Sequence, residues 1–201
     1  MLKPTAGRMF WLCKRGCDIA LSVVLLPPLI VSASVLLVLN PFVNPPPLFY
    51  TQKRMGKGCK PFRVIKFRSM ICAATIERGH EDPIEHHRIK PFGRIIRKCR
   101  LDELPQIVNV LKGDMSLIGP RPDYFEHAVE YLQTVPGYSE RFNIRPGISG
   151  LAQVVVGYVE GSEGTKRKVK ADLFYIRNVG FRMESKLFLK TISTVLHFAG
   201  S

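Results

Sequence analysis

The chain has 201 residues, of which 46% are hydrophobic, so it is long enough for one domain with a buried core and short for two. Its formal net charge of +14 implies a polyanionic neighbour, which is nucleic acid, anionic lipid or a phosphorylated substrate. Its five cysteines include no C-x-x-C pair, which argues against a disulfide framework and a structural zinc site.

The first predicted element is the uncharged apolar segment 19–39, which is long enough to cross a bilayer as a helix. Pro27 and Pro28 lie near its middle, where they remove backbone donors and favour a sharp break. Basic residues flank the segment on both sides, whereas a single span places most nearby positive charge on one side. We therefore predict that residues 1–40 form a re-entrant helix-break-helix with both ends on the cytoplasmic face, and a straight transmembrane helix is the alternative.

A basic block follows the apolar segment directly. No Asp or Glu occurs between Asp18 and Glu77, and Lys and Arg crowd residues 53–68. An apolar segment beside a polybasic one is typical of binding to an anionic membrane surface, because nucleic-acid binders need no apolar segment. The sequence thus favours anionic membrane lipids, and not nucleic acid, as a partner.

The remaining residues, 41–201, predict a small, mostly helical domain of the mixed α/β (α+β) type that lies on the cytosolic side of the membrane. The four prolines of residues 41–47 predict an extended linker, and the polar stretch 77–88 predicts a loop. The final helix is amphipathic and fits either the membrane interface or the core. The other predicted elements are a β-hairpin from 48–52 and 62–68, a strand at 151–156, and helices at 124–135, 166–178 and 182–198.

An acidic pair, Asp102 and Glu103, follows in a basic surrounding. Apolar residues from 104 to 111 recur at helical spacing, and Gly113 terminates the pattern, so we predict a helix with Asp102 as its N-cap. A helix N-terminus favours ionised carboxylates and attracts phosphate. Adjacent helical side chains diverge by about 100°, so the two acids would take different roles at one site.

The alternative is that Asp102 only caps the helix and Glu103 is only solvated. Four arginines near the pair or at Pro/Gly turns favour a phosphate site instead, because rigidly placed guanidinium groups bind phosphate in a bidentate manner. These arginines are Arg97, Arg100, Arg121 and Arg145.

Six motifs in order resemble the signature of the bacterial sugar transferases, which are small monotopic phosphoglycosyl transferases. The resemblance extends over nearly the whole chain, from residue 15 to residue 196. The motifs are K-F-R-S-M at 66–70, P-F-G-R at 91–94, L-D-E-L-P-Q at 101–106, N-V-L-K-G-D-M-S at 109–116, G-P-R-P at 119–122 and R-P-G-I-S-G at 145–150.

The resemblance implies a Mg²⁺-dependent enzyme on the cytoplasmic face of the bacterial inner membrane. Such an enzyme moves a sugar 1-phosphate from a UDP-sugar to polyprenol (undecaprenyl) phosphate and releases UMP, the initiating step of exopolysaccharide, O-antigen, capsule or glycoprotein synthesis. It implies that Asp102 attacks the sugar-bearing phosphorus to form a covalent phosphosugar-aspartate. Glu103 would assist in metal and proton handling, so both acids are expected to contact Mg²⁺. The sequence also allows a homodimer.

The resemblance assigns further residues to the site. Pro27 and Pro28 match the family's break in the membrane helix. The positions that match substrate phosphate-binding or supporting residues are Lys66, Arg68, Arg97, Arg121, Arg145 and Asp172.

Overall fold

The structure, a computed structural model, describes residues 5–43, 47–71, 88–157 and 161–196. These residues are mostly helical with two small sheets, so the predicted α+β class is confirmed. Short 3₁₀ turns lie at Lys57–Cys59, Leu101–Glu103 and Tyr138–Asn143. The helices and strands are α1 (Arg8–Val24), α2 (Leu26–Val43), β1 (Phe49–Met55), β2 (Pro61–Phe67), α3 (Pro91–Lys98), α4 (Gln106–Lys112), β3 (Ser116–Ile118), α5 (Phe125–Thr134), β4 (Gly147–Ser149), α6 (Leu151–Val155), α7 (Gly161–Asn178) and α8 (Phe181–Leu196).

The N-terminal part is a helix-break-helix, as predicted, with the break at Leu25 between α1 and α2. Pro27 and Pro28 lie in the first turn of α2, where backbone N–H groups have no carbonyl acceptor within the helix, so a missing N–H costs no hydrogen bond. The chain therefore breaks just before the prolines, which begin the second helix instead of interrupting it.

α2 is longer than the sequence indicates. It continues through Pro41 to Val43, so the prediction of an extended linker is wrong for residues 41–43. Pro41 lies in the last turn, where its missing N–H removes a single hydrogen bond and too few residues follow for a kink to matter. Residues 44–46 lie outside the described residues.

α1 turns its polar side chains inward. Lys14, Asp18 and Ser22 are buried on one face, and the Asp18 carboxylate accepts hydrogen bonds from the Ser116 hydroxyl (2.7 Å) and the Leu117 N–H (3.1 Å). The opposite face exposes large apolar side chains, the reverse of the pattern of a soluble amphipathic helix. These exposed side chains are Met9, Leu12, Ile19, Val23 and Val24.

α2 also exposes apolar side chains along most of its length, while Leu29 and Leu36 pack against Phe67 and Ile107 of the domain core. Among the described residues it is the one helix long and apolar enough to cross a membrane, by length and composition. So much exposed apolar surface on α1 and α2 indicates a membrane or protein contact. The re-entrant path and the division at residue 40 stay predictions.

The predicted β-hairpin is confirmed. β1 and β2 pair antiparallel, from Phe49 opposite Phe67 to Met55 opposite Pro61. The side chain of Asn109 joins this hairpin to α4, because its amide group donates to the Arg63 carbonyl (2.8 Å) and accepts from the Ile65 N–H (3.0 Å). The hairpin is thereby fixed against the segment that carries the acidic pair.

A second sheet brings two distant motifs together. β3 and β4 pair in parallel, and a Cβ on Gly147 would lie 2.1 Å from the backbone nitrogen of Gly119, so glycine is required at this close approach. The predicted strand at 151–156 is wrong, because Leu151–Val155 is a helix and the strand precedes it. A short apolar run does not distinguish a buried strand from a buried helix.

The three predicted C-terminal helices are present as α5, α7 and α8, although α7 begins earlier, at Gly161. Tyr175 and Ile176 of α7 form a core with Leu187 of α8 and Phe10 of α1. α8 thus packs one face in the core and exposes Leu189 and Ile192 on another. The predicted loop 77–88 lies, except for residue 88, outside the described residues.

Candidate active site

Asp102 and Glu103 lie in a 3₁₀ turn that precedes α4. The predicted helix start at Asp102 is wrong, because α4 begins at Gln106 with Pro105 as its N-cap. The N–H groups of Leu104 and Ile107 donate to the carbonyls three residues earlier, at 3.1 and 3.2 Å, so the segment before Gln106 has 3₁₀ and not α-helical hydrogen bonding. The turn is entered through Arg100, whose φ of 56° is left-handed and strained for a residue with a side chain.

Glu103 is held by three cations. It is 7% exposed, and its carboxylate receives both Arg121 Nη groups, one of them at 3.3 Å, Lys66 Nζ at 3.0 Å and Arg100 Nη1 at 3.6 Å. Burial opposes its ionisation, but Arg121 and Lys66 outweigh burial and hold the pKa of Glu103 well below its ordinary value. Glu103 is therefore ionised at neutral pH and is a weak base.

Asp102 is in a different environment. It is 8% exposed, and within the described parts of the chain no hydrogen bond or ion pair reaches its carboxylate. Burial raises the pKa of Asp102, and the charge of Glu103 adds to this effect, while Lys66 and Arg97 act in the opposite direction. Asp102 is thus the member of the pair whose oxygens are available to a substrate.

Further cations surround the pair. Arg97 is close enough to influence Asp102, and its Nη1 lies 3.5 Å from Met70 Sδ. Burial, together with the nearby Arg121, lowers the pKa of Arg54, whose Nη1 donates to the Pro122 carbonyl (3.0 Å). Cations therefore outnumber the two carboxylates here, and such an excess attracts an anion into the site.

Arg141, which is 2% exposed, holds the backbone of Arg121 in place. Arg141 donates to the Arg121 carbonyl (3.0 Å) and pairs with Asp123 (2.5 Å) and Asp172 (2.8 Å). The Tyr138 hydroxyl also donates to Asp123 (2.7 Å), and despite burial Arg141 lowers the pKa of Asp123 to about 2. This buried network positions Arg121 against Glu103.

Asp172, predicted as a substrate phosphate-binding or supporting residue, belongs to this network. It is 1% exposed and pairs with Arg141. Burial raises the pKa of Asp172 to about 6, with Arg141 acting against the shift. The structure therefore places Asp172 behind the loop of Arg121 and not beside Asp102 and Glu103.

We expect Arg141→Met to lower the free energy of unfolding by about 3–5 kcal/mol, because Asp123 and Asp172 then lack their buried counter-ion. Without Arg141 the folded-state pKa values of both acids rise, so the folded variant keeps these acids protonated at low pH. The variant then loses stability as pH rises through the raised pKa values. The deficit against the parent chain should grow between pH 5 and pH 8, measured by thermal unfolding in detergent. Arg177→Met, at an exposed position of α7, is the matched control. Equal midpoints for the two variants would show that the network is dispensable for stability.

Arg145, another predicted phosphate-binding residue, lies apart from the pair. Arg145 is exposed, and its Nε donates to the carbonyl of Gly113 (2.8 Å), at the end of α4 opposite to the acidic pair. Arg68 is half-buried just after β2, with its backbone N–H donating to Leu48 (2.9 Å). The structure thus brings together Lys66, Arg97 and Arg121 of the predicted set.

Sequence reasoning missed three charged residues of the site and its support. Asp123 directly follows the G-P-R-P motif, and this adjacency is the one signal that could have identified it. Arg54 and Arg141 carry no local signal, because each reaches the site from a distant part of the chain.

The fit of the pair to Mg²⁺ is uneven. The described residues contain no group of three or more His, Cys, Asp or Glu side chains that could hold a metal. Mg²⁺ is usually held by one or two carboxylates together with substrate phosphates and water. The open carboxylate of Asp102 fits this arrangement, whereas the oxygens of Glu103 are engaged by Arg121, Lys66 and Arg100.

Known proteins are similar to this chain over most of its length. This chain is similar to the UDP-N-acetylgalactosamine-undecaprenyl-phosphate N-acetylgalactosaminephosphotransferase of Aeromonas hydrophila, with 42% identity over 187 residues. It is 37% identical over 194 residues to the UDP-glucose:undecaprenyl-phosphate glucose-1-phosphate transferase of Caulobacter vibrioides. It is also 35% identical over 189 residues to the exopolysaccharide production protein PSS of Rhizobium leguminosarum bv. phaseoli.

The coverage of these relatives differs. The aligned residues make up 91%, 91% and 82% of this chain, respectively. They make up only 43% of the Aeromonas protein, but 69% of the Caulobacter protein and 90% of the Rhizobium protein. A family model described as bacterial sugar transferase matches residues 9–198. The chain therefore belongs to the bacterial sugar transferase family.

Proposed function

We propose that this chain transfers a sugar 1-phosphate from a UDP-sugar to undecaprenyl phosphate and releases UMP. The reaction takes place on the cytoplasmic face of the bacterial inner membrane and initiates a glycoconjugate such as an exopolysaccharide. The names of the relatives support both substrates, since each of the two enzymes named above uses a UDP-sugar and undecaprenyl phosphate.

One observation carries the proposal. Glu103 is neutralised by Arg121, Lys66 and Arg100, while the adjacent carboxylate of Asp102 is open and surrounded by cations. A carboxylate nucleophile needs an open oxygen, and the diphosphate that it attacks needs nearby positive charge. Both conditions are met at Asp102.

The proposed reaction has two displacements. An Asp102 oxygen attacks the β-phosphorus of the UDP-sugar, the bond from that phosphorus to the bridging oxygen breaks, and UMP leaves with the electron pair. A phosphate oxygen of undecaprenyl phosphate then attacks the same phosphorus. The acyl phosphate bond to Asp102 breaks, which regenerates the carboxylate and yields the sugar diphospholipid. Each displacement transfers the phosphoryl group once, so the two steps together need no other reactant.

The remaining residues supply charge and position. Arg121, Lys66 and Arg97 offset the charge that develops on the phosphoryl oxygens. Glu103 fixes the head groups of Arg121 and Lys66, and its lowered pKa favours this positioning role over proton transfer. Mg²⁺, held by Asp102 and the substrate phosphates, would neutralise diphosphate charge.

The membrane placement follows from α1 and α2. Both helices expose apolar side chains outward, and the chain breaks between them at Leu25. We propose that they form a re-entrant element with the break at its deepest point. Tags at both ends of the chain should then report the cytoplasm, and a periplasmic N-terminus would contradict the re-entrant path while leaving the chemistry intact.

The experiment that tests the function is a screen of UDP-sugars for UMP release by the purified chain with undecaprenyl phosphate and Mg²⁺. At least one donor should release UMP in the first step, and release should continue beyond one UMP per enzyme only when undecaprenyl phosphate is present to take up the phosphosugar in the second step. Release of UDP would instead indicate transfer of the sugar alone, and no nucleotide release with any donor would contradict the proposal.

Lys66→Gln should move the acid limb of the pH–rate profile to higher pH. Lys66 favours the ionised form of Asp102, so its loss raises the pKa of the nucleophile further. Activity requires ionised Asp102 and should therefore be lost at a higher pH than in the parent chain. The measurement is kcat/KM for UMP release between pH 5 and pH 8. Lys98→Gln, at an exposed position of α3, should leave the limb in place, and an unmoved limb in Lys66→Gln would contradict this role.

A further inference from the structure

A second basic cleft lies away from the acidic pair. Its cavity volume is about 170 Å³, and it opens to solvent. Part of its wall comes from the inward, polar face of α1, and the rest comes from the hairpin turn, the start of β3 and the segment before β4. The charged and aromatic residues that line it are Trp11, Lys14, Arg15, Asp18, Lys57 and Arg145.

This cleft and the acidic pair lie at opposite ends of α4. Asp102 and Glu103 precede the N-terminus of α4, whereas Arg15 and Arg145 donate to the carbonyls of its last turn. Arg15 donates to the carbonyls of residues 110 (2.8 Å) and 111 (3.2 Å). α4 therefore separates the two basic regions, and Arg145 belongs to the second one.

Helix capping accounts for only part of this charge. Cations near a helix C-terminus are stabilising, which explains one bond from Arg145 and two from Arg15. It does not explain Lys57, whose ammonium has no hydrogen bond or ion pair in the described part of the chain, or the Nη groups of Arg145, which are unused there. Lys14 is paired with Glu184 (2.6 Å), so Lys57 and Arg145 are the cations available to a ligand.

The depth of the cleft identifies the ligand. Arg15 lies ten residues before the break at Leu25, or about 15 Å along a helix at about 1.5 Å per residue. One leaflet of a bilayer contributes about 15 Å of hydrocarbon, half of the usual thickness. If the break is the deepest point of the re-entrant element, the cleft lies at the level of the lipid headgroups, where Trp11 also fits the interfacial preference of tryptophan.

We infer that this cleft binds the phosphate headgroup of an anionic membrane phospholipid, with Lys57 and Arg145 as its ligands. The inference rests on the membrane placement proposed above and is independent of the transferase reaction. It gives Arg145 a role at the membrane surface, not at the reacting phosphorus.

Trp11 provides the test, because it is the single tryptophan of the chain and lines the cleft. Detergent-purified full-length chain, without UDP-sugar, is titrated with dioctanoyl phosphatidylglycerol while tryptophan emission is followed. A basic residue near a membrane surface contributes roughly a fivefold change in affinity for anionic lipid. Lys57→Gln should therefore raise Kd about fivefold, and Lys57→Gln with Arg145→Gln should raise it about 25-fold.

Lys60→Gln is the matched control, since Lys60 is an exposed lysine of the same hairpin connection that does not line the cleft. Its Kd should equal that of the parent chain. Equal Kd values for Lys57→Gln and Lys60→Gln would overturn the site, and equally tight binding of soluble glycerol 1-phosphate would overturn its assignment to lipid. An Asp102→Asn chain should give the parent titration, so a failure of the transferase proposal leaves this result standing.

Discussion

Asp102→Asn should abolish UMP release, with a loss on the order of 10⁴-fold or more, as expected when a nucleophile is removed. The amide keeps the size of the carboxylate but offers no anionic oxygen to attack phosphorus. Binding of the UDP-sugar should persist, because Lys66, Arg97 and Arg121 remain and a negative charge beside the diphosphate is gone. The measurements are UMP release over time and the mass of the intact protein, which should increase by one sugar phosphate in the parent chain only.

Glu126→Gln on α5 is the control for loss of an acid. The Glu126 carboxylate is exposed, and its ion pair with Lys53 is long, at 3.9 Å. It should retain full activity. An unchanged unfolding midpoint in Asp102→Asn would exclude a folding defect. Undiminished UMP release by pure Asp102→Asn protein, or a sugar phosphate adduct on it, would remove Asp102 from the role of nucleophile.

The part of the site that could be predicted from sequence consists of residues inside ordered motifs. Asp102, Glu103 and Arg121 were identified in this way, and the structure places Arg121 on Glu103. Lys66 was also predicted, and it reaches Glu103 from β2 of a hairpin that alternation and turn glycines had indicated. Local sequence sufficed here because each of these residues lies in a short motif or strand, and the pattern that identifies the motif or strand is within a few positions of the residue.

Long-range contacts could not be predicted. Arg141 supports Arg121 through its backbone carbonyl and pairs with Asp172, which lies far along the chain in α7. Such a buried ion pair depends on how α7 packs, and no period or spacing encodes it. The parallel pairing of β3 with β4 was missed for the same reason, because strands of three residues are too short to show alternation.

The local electrostatics also differed from the sequence argument. A helix beginning at Asp102 would have stabilised both ionised carboxylates through its dipole. The helix begins at Gln106 instead, so discrete cations determine the charge states. They lower the pKa of Glu103, whereas burial raises that of Asp102. The two adjacent acids are therefore separated in pKa, and we propose that they are separated in role.

Glu103→Gln tests this separation of roles, and we expect kcat to fall about 10²–10³-fold. The amide cannot neutralise Arg121 and Lys66, so both head groups lose the position from which they stabilise the phosphoryl group. The charge of Glu103 raises the pKa of Asp102, so its removal should move the acid limb of the pH–rate profile to lower pH. Glu103→Asp keeps the charge with a shorter reach and should recover part of kcat.

Two other roles for Glu103 predict different outcomes in the same experiments. If Glu103 transferred a proton, an ionisation controlling the profile would disappear in Glu103→Gln instead of moving. If it were a principal Mg²⁺ ligand, the Mg²⁺ concentration for half-maximal activity would rise about tenfold or more, the scale of losing a metal-site group. A lower acid limb with an unchanged Mg²⁺ requirement is expected only if Glu103 positions Arg121 and Lys66, because that role changes the field at Asp102 without removing a metal ligand.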